Sequence, residues 1–267
     1  MQKTTFGERG DLLSFGIPAG ETHGRTFAFK PWRTADEKAV CAIRDRNRGI
    51  TPAAFASEAM AHFLTEWGSA DFTKLSIGER RLYLARAYAG DVFQTWIQLR
   101  RAAMGDDFDM QLECRSCRTE FVYTADLASL ELNVADDGED LRQQVALLDG
   151  FDWRGEDVRT VTIAPLRWSL YETQTASINT GMLKVRAAAQ AICGINGKPL
   201  AAPLPESALD LTKRDLEAIA SALDAETLGP QLAIEEFCPH CGSRVRQSLS
   251  WTYDAFFSGK ASGRGGA

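Results

Sequence analysis

Two Cys-x-x-Cys pairs constrain this 267-residue chain more than any other feature of its sequence. The first pair is Cys114 and Cys117, and the second is Cys238 and Cys241. Two thiolates separated by two residues can occupy two corners of a tetrahedral zinc site, so two such pairs supply all four ligands. In a reducing compartment, paired motifs of this kind indicate metal ligands before disulfides. The sequence therefore predicts one zinc ion bound by these four cysteines.

The residues around both pairs predict β-hairpins. Short apolar stretches enter and leave each pair, at residues 110–113 and 121–124 for the first and 232–237 and 245–251 for the second. Each pair is thus expected at the tip of a strand–turn–strand, the geometry of a zinc knuckle. Gly242 follows Cys241 and supplies the permissive backbone that such a turn favours, whereas Arg118 follows Cys117.

Three other interpretations of the paired cysteines remain open: redox-active pairs, vicinal disulfides and free thiols. A thioredoxin-like pair caps a helix, which lowers the pKa of the attacking thiol, but both pairs here continue into predicted strands. The two pairs lie far apart in the chain, at 114–117 and 238–241, well outside the spacing of an ordinary zinc ribbon. Cys41 and Cys193 fall outside the motifs and are expected to be free or core thiols.

An internal duplication explains the wide spacing. Residues 25–33 and 159–167 share the pattern R-T-x-x-x-x-P-x-R, and both precede helical sequence. Residues 75–79 and 211–215 each place an acid three residues after a hydroxyl N-cap, which opens a helix. One knuckle offers only two thiolates, so two copies of the unit would close the site together. Chance similarity is the alternative, because strand–Pro–helix patterns are common.

These patterns predict an α+β fold made of two tandem repeats of strand, helices and β-hairpin, whose two hairpins form a composite zinc ribbon. The expected divisions are an extended N-terminal arm at 1–24, a first repeat at 25–133, a second repeat at 134–257 and a flexible tail at 258–267. The arm is polar with isolated apolar residues, which predicts that it adds no core element. Helices are expected near 35–48, 51–67, 77–104, 168–179, 182–193 and 213–226, and the linker at 136–148 is expected to become helical.

Composition narrows the functional classes. Hydrophobic residues make up 45% and charged residues 25%, as in soluble globular chains, and no apolar stretch approaches the roughly 20 residues of a membrane helix. The N-terminus lacks the apolar segment of a secretion signal. A net charge of −6 disfavours a general nucleic-acid binder. With four thiolates on the metal no position remains for a catalytic water, which favours a protein that is not an enzyme.

The order of these motifs resembles the zinc-containing baseplate or tail-hub proteins of contractile-tailed phages, relatives of the T-even baseplate hub family that also occur in phage-like contractile injection systems. The resemblance covers residues 22–257. It is carried by Pro31-Trp32-Arg33, Leu75 to Arg81, residues 102–107 leading to Cys114 and Cys117, Pro165-Leu166-Arg167, and residues 235–242. The chain departs from the family in lacking Pro and Gly around its first pair, and in ending in Gly and Ser where a helical tail would follow.

The resemblance implies a structural or assembly component that binds other tail proteins, such as hub, tube or wedge components, within a larger oligomeric assembly. It implies a location in the virion or injection particle, after assembly in the bacterial cytoplasm, with no membrane contact. The alternative is a zinc-ribbon protein that binds nucleic acid or regulates. Basic and aromatic residues near the knuckles favour it: Arg115, Arg118, Arg244 and Arg246, with Phe121, Tyr123, Trp251 and Tyr253.

Overall fold

The computed structural model describes residues 1–19, 22–173, 180–225 and 228–257; the predicted tail at 258–267 lies outside these ranges. The fold is mixed α+β, as expected, with antiparallel strand pairs. The strands are β1 Gln2–Thr5, β2 Leu12–Ala19, β3 Thr22–Phe29, β4 Leu64–Trp67, β5 Ala70–Asp71, β6 Asp107–Glu113, β7 Glu120–Asp126, β8 Glu131–Val134, β9 Gln143–Trp153, β10 Glu156–Ile163, β11 Ile192–Ile195, β12 Lys198–Pro199, β13 Gly229–Pro230, β14 Ala233–Phe237 and β15 Arg244–Ser248. The helices are α1 Phe6–Arg9, α2 Thr34–Arg46, α3 Pro52–Phe63, α4 Ile77–Arg86, α5 Ala89–Met104, α6 Ser169–Glu172, α7 Thr180–Ala191, α8 Lys213–Ala225 and α9 Tyr253–Phe257.

The N-terminal half is built on a four-stranded sheet with strand order β2-β3-β4-β5. Helix α3 starts as predicted, with the Thr51 side chain capping the N–H of Ala54 and Pro52 at the first helical position. It ends at Phe63 rather than at 67, because the next four residues pair with β3 as strand β4. Helices α4 and α5 then lead into the β6–β7 hairpin.

The C-terminal half contains a four-stranded sheet with strand order β9-β10-β11-β12. Helix α7 runs directly into β11, as α3 runs into β4. The helix predicted at 136–148 is wrong, because the chain forms strand β9 from Gln143 onward. Residues 143–148 are mostly good helix formers, but pairing with β10 outweighs that local preference. Of the helix predicted at 168–179, α6 forms and residues 174–179 lie outside the described ranges.

The two sheets share details of register. In each half the first hairpin shifts register around an arginine, Arg25 in one sheet and Arg159 in the other. The flanking pairs are Leu12 with Thr26 and Ile17 with Gly24 in the first sheet, and Ala146 with Thr160 and Phe151 with Val158 in the second. Each Arg donates through Nη1 to a backbone carbonyl of the strand before it, that of Ser14 or of Leu148.

In each half, a carboxylate on the helix that precedes the knuckle bonds to backbone N–H groups of the first hairpin. Asp215 in α8 accepts hydrogen bonds from backbone N–H groups of β9. In the N-terminal half Asp91 of α5 does the same with β2, whereas Glu79 of α4 caps its own helix at Ser76. Both helix starts predicted at 75–79 and 211–215 are capped, because the hydroxyl of Ser76 accepts from the N–H of Glu79 and that of Thr212 accepts from the N–H of Asp215. The carboxylate that bonds to the first hairpin, however, belongs to α5 in the N-terminal half and to α8 in the C-terminal half.

The helix predicted at 77–104 is two helices, because two residues between them are extended. Ala87 and Tyr88 have ψ of 161° and 138°, and Tyr88 forms an isolated antiparallel bridge with Arg167. The backbone N–H of Trp168 donates to the carbonyl of Ala87 at 2.9 Å. The two halves thus meet where the predicted long helix is interrupted.

The prediction of an extended N-terminal arm is wrong for its described residues. Strand β1 pairs with β8, which also pairs with β13. Phe6, Leu13 and Phe15 are 1%, 0% and 7% exposed. Their apolar partners come from distant elements such as α5 and β8, which a local reading of residues 1–24 cannot include.

The main hydrophobic core draws on both ends of the chain. It extends from Phe6 to Val134 and also includes Trp168, Ile234, Leu249 and Phe256. Helix α9 packs back onto the N-terminal half, where Phe256 lies parallel to Trp96 with ring centroids 6.5 Å apart. A second core, from Leu147 to Ile219, lies under the sheet of the C-terminal half.

Candidate metal centre

Both knuckle hairpins form as predicted. In the first, β6 and β7 pair from Asp107 with Asp126 to Glu113 with Glu120, so the strands end directly at the cysteines. The side chains of β6 alternate between buried and exposed, and Leu112 and Cys114 point inward. The β14–β15 pair carries the second cysteine pair in the same way. The inward face of each hairpin joins the main core, and this packing holds the turn that carries the thiols in place.

The two turns have the same backbone hydrogen bonds. The N–H of Cys114 donates to the carbonyl of Thr119 at 3.0 Å, and the N–H of Cys238 donates to that of Ser243 at 2.9 Å. The residue after the second cysteine has a positive φ in both turns, 61° at Arg118 and 71° at Gly242. Glycine adopts this conformation freely, whereas arginine does so at a cost of about 1 kcal/mol. The predicted role of Gly242 is confirmed.

The fold brings the four predicted ligands together. All four Sγ atoms lie within 4.8 Å of one another. Two contacts cross between the hairpins: Cys114 to Cys241 and Cys117 to Cys238, at 3.6 Å each. A disulfide would need about 2.05 Å, and all four cysteines are free. Four thiolates about 2.3 Å from a central zinc would lie about 3.8 Å apart, so the cluster has the size of a tetrahedral metal site.

The environment of the thiols is asymmetric. Cys114 and Cys238 are buried, while Cys117 and Cys241 face solvent. Hydrogen bonding with Thr119 lowers the pKa of Cys117, and burial raises the pKa of Cys238. A metal binds thiolates only, so binding here would displace protons, most of all from the buried thiol of the second knuckle. Four sulfur ligands favour soft cations.

The hairpins also contact each other beside the thiols. Gln247 of β15 donates through Nε2 to the backbone carbonyl of Gln111 in β6, at 3.4 Å. Three of the four arginines near the knuckles form ion pairs on the same hairpins. Arg118 lies 3.4 Å from Glu113, Arg246 lies 3.5 Å from Glu235, and Arg244 also pairs with Glu235.

The remaining cysteines take no part in the cluster. Cys41 is exposed and its Sγ lies 3.8 Å from Oε1 of Glu37. Cys193 is half-buried and donates to the backbone carbonyl of Thr162 at 3.4 Å. The prediction of free thiols agrees with both positions.

One polar cluster was not predicted from the sequence. Oδ1 of Asp36 lies 2.7 Å from Nζ of Lys30 and 2.8 Å from Nε2 of His62. The Lys30 ammonium is the main reason that the pKa of Asp36 falls to about 2. Lys30 directly follows β3, Asp36 lies in α2 and His62 lies in α3, and no local motif joins them. The cluster ties these elements together at the surface.

Comparisons with known proteins leave the metal centre as the main guide to function. The chain matches no protein-family model, no curated protein and no solved structure. Among the helices of the described ranges, none combines the length and apolar character needed to cross a membrane. The four clustered cysteines form a group that could hold a metal ion.

Proposed function

We propose that this protein is a zinc-stapled structural or assembly component of the baseplate of a contractile phage tail or phage-like injection system. One observation carries the proposal: the four thiols meet at one point although they come from hairpins in different halves of the chain. A metal with four protein ligands has no open position for a substrate or water, so its role is structural. The metal proposed is zinc, which forms closed four-thiolate sites of this size.

We also propose that the two halves are copies of one unit and that the paired knuckles form a composite zinc ribbon. The common strand order, the shared register shift at Arg25 and Arg159, and the matching carboxylates Asp91 and Asp215 support this. A single unit would offer two thiolates and an incomplete site. Binding energy at the shared site would then also be folding energy for the whole chain.

The tail assignment rests on the resemblance of the motif order. In this proposal the protein works by binding hub, tube or wedge components, without turnover of a substrate, and resides in the particle after assembly in the bacterial cytoplasm. A nucleic-acid role is weaker, because three of the four knuckle arginines are already paired with glutamates on their own hairpins.

The test is incorporation into particles. The tagged chain is expressed with the tail genes of its own genome, and assembled tails or injection particles are purified by sedimentation. The wild type should co-sediment in a fixed ratio to the sheath protein, as should the Cys41→Ser/Cys193→Ser control. The Cys114→Ser/Cys238→Ser variant should be absent from the particles.

A DNA-binding titration in increasing salt is run beside it. Absence of the wild type from particles, together with tight DNA binding that weakens steeply with salt, would overturn the tail proposal in favour of nucleic-acid recognition.

A further inference from the structure

A groove crosses the junction of the two halves on the side of helix α4. It has a volume of about 320 Å³ and is lined by Leu82, Tyr83 and Arg86 of α4, by Tyr88, and by Arg167 from the C-terminal half. Two of its lining residues, Tyr88 and Arg167, also form the backbone bridge between the halves. The groove is therefore formed by both halves and lies on the part of the chain where they are joined.

Helix α4 has no helical counterpart in the C-terminal half. Between β12 and α8 the described chain forms only a 3-10 turn at Glu206–Ala208. Leu84 is the buried residue of α4. Leu82 is 57% exposed and Tyr83 is 41% exposed, at the rim of the groove. Helix α4 thus exposes two large apolar side chains to solvent. The C-terminal half has only a short 3-10 turn at the same place in its order of elements.

The groove also carries positive charge without a matching acid. Arg167 donates through Nη1 to the backbone carbonyl of Arg86, and its guanidinium lies 5.1 Å from the centre of the Tyr88 ring. Within the described ranges neither Arg86 nor Arg167 forms an ion pair with a carboxylate. Asp140 lies near Tyr88, but Arg142 holds it through bonds of 2.8 and 2.7 Å. Two guanidinium groups are therefore available on a chain of net charge −6.

We propose that this groove docks a protein partner through an acidic segment that carries one large apolar side chain. Charge complementarity selects the acidic residues, because arginine binds carboxylates through two parallel hydrogen bonds. The exposed Leu82 and Tyr83 would receive the apolar side chain beside them. Tyrosine and arginine are the residue types that dominate binding energy at protein interfaces. The proposal does not depend on the tail assignment, since such a surface could serve any assembly.

Fluorescence anisotropy on the purified full-length protein tests the inference. The probes are fluorescein-labelled ten-residue peptides that place two Asp or Glu residues on either side of Leu, Phe, Tyr or Trp. At least one should bind, and Leu82→Ser and Arg167→Glu should each weaken it about fivefold or more. Leu148→Ser and Arg48→Glu are matched controls, an exposed leucine and an exposed arginine elsewhere, and should leave binding unchanged.

Charge reversal makes the test specific. A peptide with lysines in place of its acids should fail to bind the wild type and should gain binding to Arg86→Glu/Arg167→Glu. Thermal unfolding of each variant checks that it is folded.

If no acidic peptide binds, or if binding survives Leu82→Ser and Arg167→Glu, the docking site is rejected. If a single-stranded DNA oligonucleotide binds instead and loses affinity in Arg167→Glu, the groove recognises nucleic acid. Failure of particle incorporation leaves these outcomes unchanged, because the purified protein is used alone.

Discussion

Asp91 and Asp215 hold the first hairpin of their halves in the same way. Asp91 accepts hydrogen bonds from the N–H groups of Phe15 and Gly16, at 2.9 Å each. Asp215 accepts three from β9, at 2.7 to 3.1 Å. Both side chains are 1% exposed, yet their pKa values move in opposite directions. Burial raises the pKa of Asp91 to about 6; burial also acts on Asp215, but hydrogen bonds from β9 and Thr212 outweigh it and lower its pKa.

The two carboxylates should therefore give opposite dependences of stability on pH. Between pH 4 and 6 the folded state retains a proton on Asp91 that the unfolded state has lost, so this group makes the protein less stable as pH rises. The lowered pKa of Asp215 means that its contribution is present above pH 4 and is lost as pH falls below it.

Urea unfolding of Asp91→Asn and Asp215→Asn from pH 3 to 8 measures both effects. The difference in unfolding free energy between wild type and Asp91→Asn should fall from pH 4 to 6 and become flat above pH 7. The difference for Asp215→Asn should instead grow as pH rises through 4. Two curves with the same slope would show that the hydrogen bonds to Asp215 do not outweigh its burial.

The metal centre predicts one zinc ion per chain. Replacing one ligand from each half, in Cys114→Ser/Cys238→Ser, should abolish zinc binding and lower the melting temperature by roughly 10 °C or more, because a structural zinc site contributes several kcal/mol to folding. Elemental analysis by mass spectrometry and calorimetry measure the two quantities.

The matched control for zinc is Cys41→Ser/Cys193→Ser, which removes the same number of thiols outside the cluster. It should keep one zinc per chain and a melting temperature near that of the wild type. A wild-type preparation with six reactive thiols and no stoichiometric metal would refute the zinc site.

The knuckles were predictable from the sequence because their signals are local. Paired cysteines, flanking β-branched residues and Gly242 lie within a few positions of one another. The cysteines indicate a metal site, the β-branched residues indicate strands, and the glycine indicates a turn. The capped starts of α3 and α4, at Thr51 and Ser76, were predictable for the same reason. The prediction that the two pairs meet rested on the four ligands of a tetrahedral zinc site and on the internal repeat that would bring two knuckles together.

The failures share one cause, which is pairing with distant residues. Strand β9 is stabilised by β10 and by Asp215, and Tyr88 leaves the helical conformation to pair with Arg167. The N-terminal segment is buried because β8 and α5 cover it. Secondary-structure propensities summed over a short stretch of sequence do not include such contacts, because the partners lie tens of residues away or more.

The Asp36 cluster predicts sensitivity to acid. Lys30 and His62 share one oxygen of this carboxylate, which keeps its pKa at about 2, so its contribution is present above pH 4 and is lost as pH falls toward 2. Asp36→Asn should lower the unfolding free energy at pH 7 by about 2 kcal/mol. Asp45→Asn, an exposed change on the same helix, should have little effect. Equal urea midpoints for the two variants would contradict the role of the cluster.

The junction of the halves predicts a strict requirement for glycine at one position of α5. Gly90 lies against β13, and a Cβ built on it would be 2.1 Å from the carbonyl oxygen of Leu228 and 2.6 Å from its carbon. Backbone cannot move aside as a flexible side chain can, so Gly90→Ala should lower the unfolding free energy by about 3 kcal/mol. Gly78 is also the second residue of its helix, α4, and has nothing within 4 Å of a Cβ, so Gly78→Ala should be neutral or stabilising by up to about 1 kcal/mol. Urea unfolding of both variants decides: a Gly90→Ala protein as stable as the Gly78→Ala protein would mean that the halves do not pack this closely.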